Sequence, residues 1–141
     1  MANEQTQSST EEQHIIINHE HDIVVARQAG RDLAARIGFS NIDRSLIATA
    51  ISELARNIIS YAQKGEVIIS VIHEADRQGI EIVAVDQGPG IEDISKAMED
   101  GFSTGKSLGL GLPGAKRIMG ELVVTSEFGK GTMVKARKWT R

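Results

Sequence analysis

The sequence predicts one α/β (α+β) domain, a two-layer sandwich in which helices cover one face of a mixed, mostly antiparallel β-sheet. Three observations support this fold class. The chain has 141 residues, 40% of them hydrophobic, which is enough to bury a core without disulfides or metal ions. Apolar residues recur at helical spacing through the first half of the chain. Short β-branched runs between polar or glycine-containing turns fill much of the second half and predict strands.

The N-terminal segment is polar. Residues 1–13 are rich in Gln, Ser, Thr and Glu, a composition that predicts a disordered tail before a single domain of residues 14–141. Three consecutive isoleucines, Ile15 to Ile17, predict a short first strand.

Two long helices are expected next. Apolar positions at helical spacing predict the first helix from Asp22 to Ile37, and Gly38 suits its C-cap. Asp43 is expected to N-cap a second helix that runs to about Gln63.

The remaining elements alternate between strands and short helices, separated by glycine or polar turns. In chain order they are strands from Glu66 to Ile72 and from Ile80 to Val85, a short helix from Asp93 to Glu99, a Gly- and Ser-rich loop from Gly101 to Gly111, a helix from Leu112 to Met119, and a hairpin with strands from Leu122 to Ser126 and from Thr132 to Lys138.

Composition excludes several classes of protein. A net charge of −3 gives no electrostatic reason to expect nucleic acid or a membrane surface as partner. Because the chain has no cysteine, it has no disulfide, thiol nucleophile or thiolate metal site. No apolar run approaches the roughly 20 residues that span a bilayer, and the polar N-terminus lacks the apolar core of a signal peptide. We therefore expect a cytoplasmic protein.

The predicted strand ending at Val85 leads directly into Asp86, Gly88 and Gly90. A carboxylate at the end of a strand can accept a hydrogen bond from the exocyclic amine of a base, and glycines let a flat ring or a phosphate approach the backbone closely. This motif indicates a nucleotide site. Taken alone, the same pattern of Asp and Gly is also typical of an ordinary turn.

The second predicted helix carries Glu53 and Asn57 at the edge of its apolar stripe, four residues apart and therefore about one turn from each other. A carboxylate beside a carboxamide can order a hydroxyl group and supply an oxygen ligand to Mg²⁺. The alternative is a solvated glutamate and a surface asparagine.

The glycine-rich segment matches two nucleotide-binding motifs only superficially. Residues 101–107 resemble a P-loop, but three residues instead of four separate the glycines, and a predicted helix rather than a strand precedes them. Residues 109–114 fit G-x-G-x-x-G without the strand and the βαβ unit that a dinucleotide site requires. Both interpretations are rejected.

A glycine loop that feeds a helix still has a physical consequence. The first turn of that helix, with Pro113 near its start, presents free N–H groups toward an anion. We expect the loop to close over a triphosphate, with Lys106 and either Ser103 or Thr104 as its polar contacts.

Taken together, these elements resemble the four motifs of the GHKL ATPase and kinase superfamily, whose ATP-binding domain is the Bergerat fold. The resemblance covers the chain from about Ile15 to Trp139. It rests on Glu53 with Asn57, Asp86 with Gly88 and Gly90, Gly109 with Gly111, and Gly131 with Thr132.

This resemblance implies a role for each matching residue. Asn57 would coordinate Mg²⁺, and Glu53 would serve as general base. The residues that would bind ATP are Asp86 at the adenine amino group, Gly88 and Gly90 around the adenine, Gly109, Leu110 and Gly111 at the phosphates, and Thr132 at the adenine site.

Four longer runs resemble the RsbT type of kinase, the switch kinases of the stressosome. They are ISELARNI from Ile51, DQGPGI from Asp86, MEDGFST from Met98 and GLGLPG from Gly109. The resemblance implies a serine/threonine protein kinase in general stress signalling that phosphorylates STAS-domain proteins of the RsbS and RsbR type. It also implies that the released kinase binds and activates a PP2C-type phosphatase of the RsbU type.

Three alternatives remain open from the sequence. An anti-sigma factor kinase of the RsbW or SpoIIAB type would use the same chemistry with a sigma factor as second partner. An ATP-gated binding module would bind nucleotide without transferring phosphate. An unrelated α/β domain whose glycines merely form turns would bind no nucleotide. The sigma-factor kinases can dimerise, so we expect a monomer or a weak dimer.

Overall fold

The computed structural model describes residues 12–88, 111–127 and 129–140. Within these ranges, five strands and three helices form two layers, which confirms the predicted fold class. In chain order the elements are β1 (Glu12–Ile17), α1 (Glu20–Arg36), α2 (Asn41–Ala62), β2 (Gly65–Glu74), β3 (Arg77–Asp86), α3 (Gly111–Met119), β4 (Glu121–Glu127) and β5 (Gly131–Trp139).

The five strands form one sheet in the order β1-β2-β3-β5-β4. All four neighbouring pairs of described strands are antiparallel, so the parallel pair that a mixed sheet requires is not found among them. The reason is local for two of the pairs, because β2 with β3 and β4 with β5 are joined by tight hairpins, which can pair only antiparallel.

The core lies between the helices and one face of the sheet. Val67 and Ile69 on β2 and Ile80 and Ile82 on β3 are fully buried. Alternate residues of a strand point to opposite faces, so these four positions define the face that the helices cover. Met133 on β5 directly precedes the buried Val134, so its side chain points to the opposite face of the sheet and is exposed.

The starts of both long helices differ from the sequence prediction. Ser40, and not Asp43, caps α2, because its hydroxyl accepts the backbone N–H of Asp43 at 3.1 Å. The helix α1 begins at Glu20, two residues before Asp22. The carboxylate of Asp22 reaches back to accept the backbone N–H groups of Asn18 and His19 at 2.9 and 3.0 Å. In both cases an acidic residue that favours a helix start lies in the first turn instead of at the cap.

Other predicted bounds fall near or beyond the described residues. The strand β1 begins at Glu12, so the last two residues of the predicted tail, 1–13, belong to the sheet. Residues 1–11, the predicted helix from Asp93 to Glu99 and the loop up to residue 110 lie outside the described residues. None of the described helices is both long enough and apolar enough to cross a membrane.

Candidate nucleotide site

Helix α2 places Glu53 and Asn57 on neighbouring turns beside the core. Its buried face includes Ile51, Leu54 and Ile58, and Glu53 lies within that face with only 7% of its surface exposed. Asn57 is half-buried, four residues further along the helix. A buried carboxylate is unusual unless it is hydrogen-bonded, so the position of Glu53 indicates a specific role.

A described partner of Glu53 is the first residue of α3. The backbone N–H of Gly111 donates to Oε1 of Glu53 at 3.2 Å. The first N–H groups of a helix have no partner within the helix, and a carboxylate there is favourable also because of the helix dipole. The sequence predicted that Gly111 contacts phosphate. Its N–H is directed at Glu53 here, and the phosphate contact stays a prediction.

Asp86, the last residue of β3, makes a short turn with Gly88. Its Oδ1 accepts the backbone N–H of Gly88 at 2.9 Å. An ionised carboxylate can accept about four hydrogen bonds, so this turn leaves Asp86 able to accept more. Gly88 packs on the end of α2. A Cβ atom at Gly88 would lie 2.6 Å from Cβ of Ala62, so close packing requires glycine there.

Two further glycines flank the backbone of Asp86. Gly131 on β5 has φ +112°, and a Cβ atom there would overlap the carbonyl oxygen of Asp86. Gly65 on β2 pairs with Asp86 in register, and its Cβ atom would lie 3.1 Å from Cβ of Asp86. Neighbouring strands therefore approach the backbone around Asp86 so closely at these two positions that only glycine fits without a shift.

Thr132 follows Gly131 and lies directly opposite Asp86 in the sheet register. On its other side, Thr132 pairs with Ser126 of β4, and the two hydroxyl oxygens are 3.0 Å apart. Because side chains of paired residues point to the same face, Asp86, Thr132 and Ser126 form a polar row on the helix-covered face. Ser126 was not predicted from the sequence. Period-two alternation along β4 could have placed it on this face, but only the hairpin register places it beside Thr132.

These residues fit an adenine nucleotide with Mg²⁺. A carboxylate and a hydroxyl group suit the polar edge of a base. No group of three His, Asp or Glu side chains that could hold a metal occurs in residues 12–88, 111–127 and 129–140. Mg²⁺ commonly binds through one or two protein ligands together with the phosphates of its substrate. Asn57 as a ligand stays a prediction.

The structure brings several of the predicted residues to one end of the sheet. Ile58 of α2 lies beside Gly65, which is itself beside Asp86, and Gly88 contacts the last turn of α2. The predicted site residues that the structure describes are Glu53, Asn57, Asp86, Gly88, Gly111 and Thr132. Six other predicted site residues lie outside the described part of the chain: Gly90, Ser103, Thr104, Lys106, Gly109 and Leu110.

Comparison with known proteins identifies the family of this chain. Residues 18–138 match the family described as the histidine kinase-like ATPase domain. Serine/threonine-protein kinase RsbT of Bacillus subtilis (strain 168) is 54% identical over 122 residues, which cover 86% of this chain and 92% of that protein. Anti-sigma F factor of Thermoanaerobacter sp. (strain X514) is 37% identical over 97 residues, 66% of this chain and 68% of that protein.

Solved structures show the same fold. The structure of the RsbU and RsbW domains of Rv1364c from Mycobacterium tuberculosis superposes with a TM-score of 0.62 at 17% identity. The match covers 90% of this chain and 32% of that one, so this chain spans about a third of the solved structure. The resemblance found in the sequence is thereby confirmed. The chain belongs to the histidine kinase-like ATPase domain family and, within it, to the RsbT group of serine/threonine-protein kinases.

Proposed function

We propose that this kinase transfers the γ-phosphoryl group of ATP to a serine or threonine hydroxyl on a STAS-domain protein of the RsbS or RsbR type. One observation carries the proposal: a buried carboxylate, Glu53, lies one helical turn from the carboxamide of Asn57 and contacts the start of α3. That pair can accept a proton and hold a metal ion side by side, which are the two tasks that phosphoryl transfer requires of side chains.

Each residue has a distinct task in this mechanism. Bound Mg·ATP supplies the phosphoryl group, and the Mg²⁺ ion would neutralise part of the negative charge on the phosphates. Asn57 provides an amide oxygen for the metal ion, Asp86 accepts a hydrogen bond from the base, and Thr132 contacts the base beside it. Glu53 then accepts the proton of the attacking hydroxyl. Its Oε1 accepts the backbone N–H of Gly111, which helps to hold the carboxylate in place.

We further propose that the kinase acts in the cytoplasm in general stress signalling and that, when released from its substrates, it binds and activates a PP2C-type phosphatase of the RsbU type. Identity of 54% over 92% of an RsbT kinase supports both proposals. Lys106, Ser103, Thr104 and the glycines near residue 109 remain our proposed phosphate contacts.

A second candidate function is that of an anti-sigma factor with kinase activity. The relatives named Anti-sigma F factor favour it, because they match 66% of this chain at 37% identity. Both candidates require the same nucleotide site. They differ in the second partner, so binding to a purified sigma factor distinguishes them.

The kinase proposal is tested by intact-mass spectrometry of a purified STAS-domain protein of the RsbS type after incubation with the full chain and Mg·ATP. We expect the mass of one phosphate to be added. The variant Glu53→Gln keeps an oxygen that can accept the N–H of Gly111 but removes the basic group. It should slow transfer by about a hundredfold or more and leave ADP affinity within about threefold of the parental value.

Glu74→Gln is the matched control, since Glu74 is exposed at the opposite end of β2 and pairs with Arg77 at 2.6 Å. It should phosphorylate the partner at the parental rate. Transfer by Glu53→Gln at the parental rate would show that Glu53 is not the base. ADP binding without any transfer would favour the ATP-gated binding module, and absence of ADP binding would refute the nucleotide site.

A further inference from the structure

Helix α2 carries an exposed apolar pair in line with Glu53. Ile42 and Leu46 are 74% and 39% exposed. They precede Glu53 by eleven and seven residues, so at about 100° per residue both side chains leave the helix within about 20° of the direction of Glu53. Thr49, which is half-buried, lies between them and Glu53 at the same helical spacing. These four residues form one line along α2, which we call the α2 stripe.

The α2 stripe leads from solvent to the proposed general base. At 1.5 Å per residue, Leu46 lies about 10 Å and Ile42 about 16 Å along the helix from Glu53. The stripe is open at Ile42 and becomes covered at Glu53, which is 7% exposed and contacts the first residue of α3. A small domain is about 30 Å wide. A protein that packs on Ile42 and Leu46 can therefore also reach Glu53.

The arrangement of the pair distinguishes it from ordinary surface residues. Single exposed apolar side chains are common and need no explanation. Residues four apart on a helix are neighbours, however, so Ile42 and Leu46 form one continuous apolar surface. An exposed isoleucine also does not favour the helix, because β-branched residues have lower helix propensity than unbranched ones. The pair is better explained by contact with another molecule than by the stability of α2.

The charge around the α2 stripe indicates the chemistry of that molecule. Residues 18–64 and 111–120, which form the helix layer, contain eight Arg or Lys and five Asp or Glu. With His neutral their net charge is +3, whereas the whole chain has −3. A positively charged layer with an apolar pair suits a partner whose apolar patch is surrounded by acidic residues.

Arg31 brings part of this charge to the stripe itself. Its Nη1 donates to Oγ of Ser45 at 2.9 Å, and Ser45 directly precedes Leu46. Ser45 is twelve residues from Asn57, which is about 18 Å along α2. Arg31 is therefore too far from the proposed metal ligand to contact nucleotide phosphates, so its charge is available to a protein partner.

We propose that the α2 stripe, together with Arg31, is the docking surface for the acceptor protein, the protein whose hydroxyl group receives the phosphoryl group. The acceptor protein packs an apolar patch on Ile42 and Leu46 and places acidic residues near Arg31. The inference rests on the proposed function, which supplies the acceptor and the base, and it adds where the acceptor binds. Burial of the apolar pair provides affinity, and the charges provide orientation.

Steady-state phosphoryl transfer from Mg·ATP to a purified STAS-domain protein of the RsbS type tests this inference. The double variant Ile42→Gln/Leu46→Gln keeps unbranched, helix-compatible side chains and removes the apolar surface. Docking contacts contribute equally to the ground state and the transition state. The KM for the acceptor protein should therefore rise about tenfold or more, while kcat stays within about twofold. The Kd of ADP, measured by calorimetry on the full chain, should also stay within about twofold.

Matched controls lie on the sheet face opposite the helices. Val123 is 62% exposed there and pairs with the exposed Lys135. Val123→Gln should leave the KM at the parental value. Arg31→Gln should raise the KM about threefold, and this difference should shrink in about 1 M salt, where charges are screened. Lys135→Gln removes the same charge on the other layer and should leave the KM unchanged.

The outcomes separate this inference from the proposed function. If the parental chain transfers no phosphate, the proposed function fails, and the inference fails with it. If the parental chain transfers phosphate and the double variant keeps the parental KM, the inference alone is overturned. That holds also if the double variant has lost self-association or binding to a phosphatase of the RsbU type, because the stripe then serves that partner.

A change in the fold would have a different signature. A raised KM together with an equal loss of ADP affinity would mean that the substitutions disturb α2 as a whole, and it would overturn the inference. If the double variant does not fold, the single variant Ile42→Gln, at a position that is 74% exposed, decides. A raised KM with parental ADP affinity supports the docking surface, and an unchanged KM overturns it.

Discussion

Glycine can be required near Asp86 for two reasons: neighbouring atoms leave no room for a side chain, or the backbone has a positive φ. Gly129 and Gly131 lie two residues apart in the β4–β5 hairpin, and both have positive φ, +84° and +112°. A Cβ atom at Gly129 would meet nothing within 4 Å. At Gly131 it would overlap the carbonyl oxygen of Asp86 and lie 2.8 Å from Cα of Gln87. The two positions therefore separate conformational strain from steric overlap.

Alanine at these two positions should have different consequences. Gly129→Ala should lower the free energy of unfolding by about 1 kcal/mol, the cost of a left-handed conformation. Gly131→Ala adds overlap with a neighbouring strand and should lower it by about 3 kcal/mol or more. Because the overlap displaces Asp86, Gly131→Ala should also weaken ADP binding, and Gly129→Ala should not. Urea denaturation and calorimetry measure both quantities. Equal losses of stability would show that β5 shifts to accommodate the added methyl group without displacing Asp86.

The sequence predicted candidate site residues but not how their positions are supported. Glu53 and Asn57 were found from their helical spacing, and Asp86 from its position after an apolar strand. Glycines are versatile, however, and their spacing does not reveal which ones are held by packing. Gly65 and Ser126 lie far from Asp86 in sequence, and only the pairing of four strands places them in one row.

Among the secondary-structure elements, α1 and α2 pack closely because α1 has a glycine at the contact. A Cβ atom at Gly30 would overlap Cδ1 of Ile51, the flexible end of a fully buried side chain, and would lie 3.7 Å from Cδ1 of Ile69. Glycine inside a helix is unfavourable by about 1 kcal/mol relative to alanine, so its presence here indicates that close packing outweighs helix propensity.

This contact predicts a compensating pair of substitutions. Gly30→Ala alone should destabilise the protein by about 1 to 3 kcal/mol through overpacking. Ile51→Val alone removes Cδ1 and should destabilise it by about 1 kcal/mol. In the double variant the new Cβ occupies the space that Cδ1 leaves, and alanine improves the helix, so stability should return near the parental value. Thermal or urea unfolding of the four proteins measures the coupling. Additive losses would show that Ile51 is not the residue that excludes a side chain at position 30.

The existence of each described helix and strand was predictable because hydrophobic periodicity records which face is buried. Their ends were less predictable, because several residues near an end can serve as caps. Ser40 and Asp43 are both good N-cap residues, and only the hydrogen bond from the Asp43 N–H to Ser40 shows which one caps α2. The antiparallel pairing of β3 with β5 depends on a non-local connection, which periodicity does not record.

For the molecule as a whole, the two ends of the sheet have different chemistry. The end near Asp86 is lined by glycines and short polar side chains. At the opposite end, the guanidinium of Arg77 stacks 4.0 Å from the ring of Trp139, whose indole N–H donates to Glu121 at 2.8 Å. Bulky, mutually bonded side chains stabilise that end. We infer that substitutions at the Trp139 end affect stability more than nucleotide binding.

The free energy of unfolding should depend on pH through two groups near the N-terminus whose pKa values are shifted in opposite directions. His14 on β1 contacts Glu66 of β2 at 2.7 Å and Glu12 at 3.2 Å, and these hydrogen bonds raise the pKa of His14 above its ordinary value of 6.5. Its stabilising effect is therefore complete below pH 6.5 and is lost as pH rises through the raised pKa. Hydrogen bonds from the backbone of Asn18 and His19 lower the pKa of Asp22 below 3.8, so its effect is present above pH 3.8 and is lost at lower pH.

Urea unfolding of the parental chain, His14→Gln and Asp22→Asn across pH tests this assignment. The difference in unfolding free energy between the parental chain and His14→Gln should be greatest below about pH 6 and shrink toward pH 8. The difference for Asp22→Asn should stay constant over that interval and vanish only in strong acid. Both groups are exposed, so each effect should be small and should decrease further in about 1 M salt, where the Debye length is about 3 Å. A difference for His14→Gln that grows with pH would mean that the bridge between β1 and β2 does not involve a protonated imidazole.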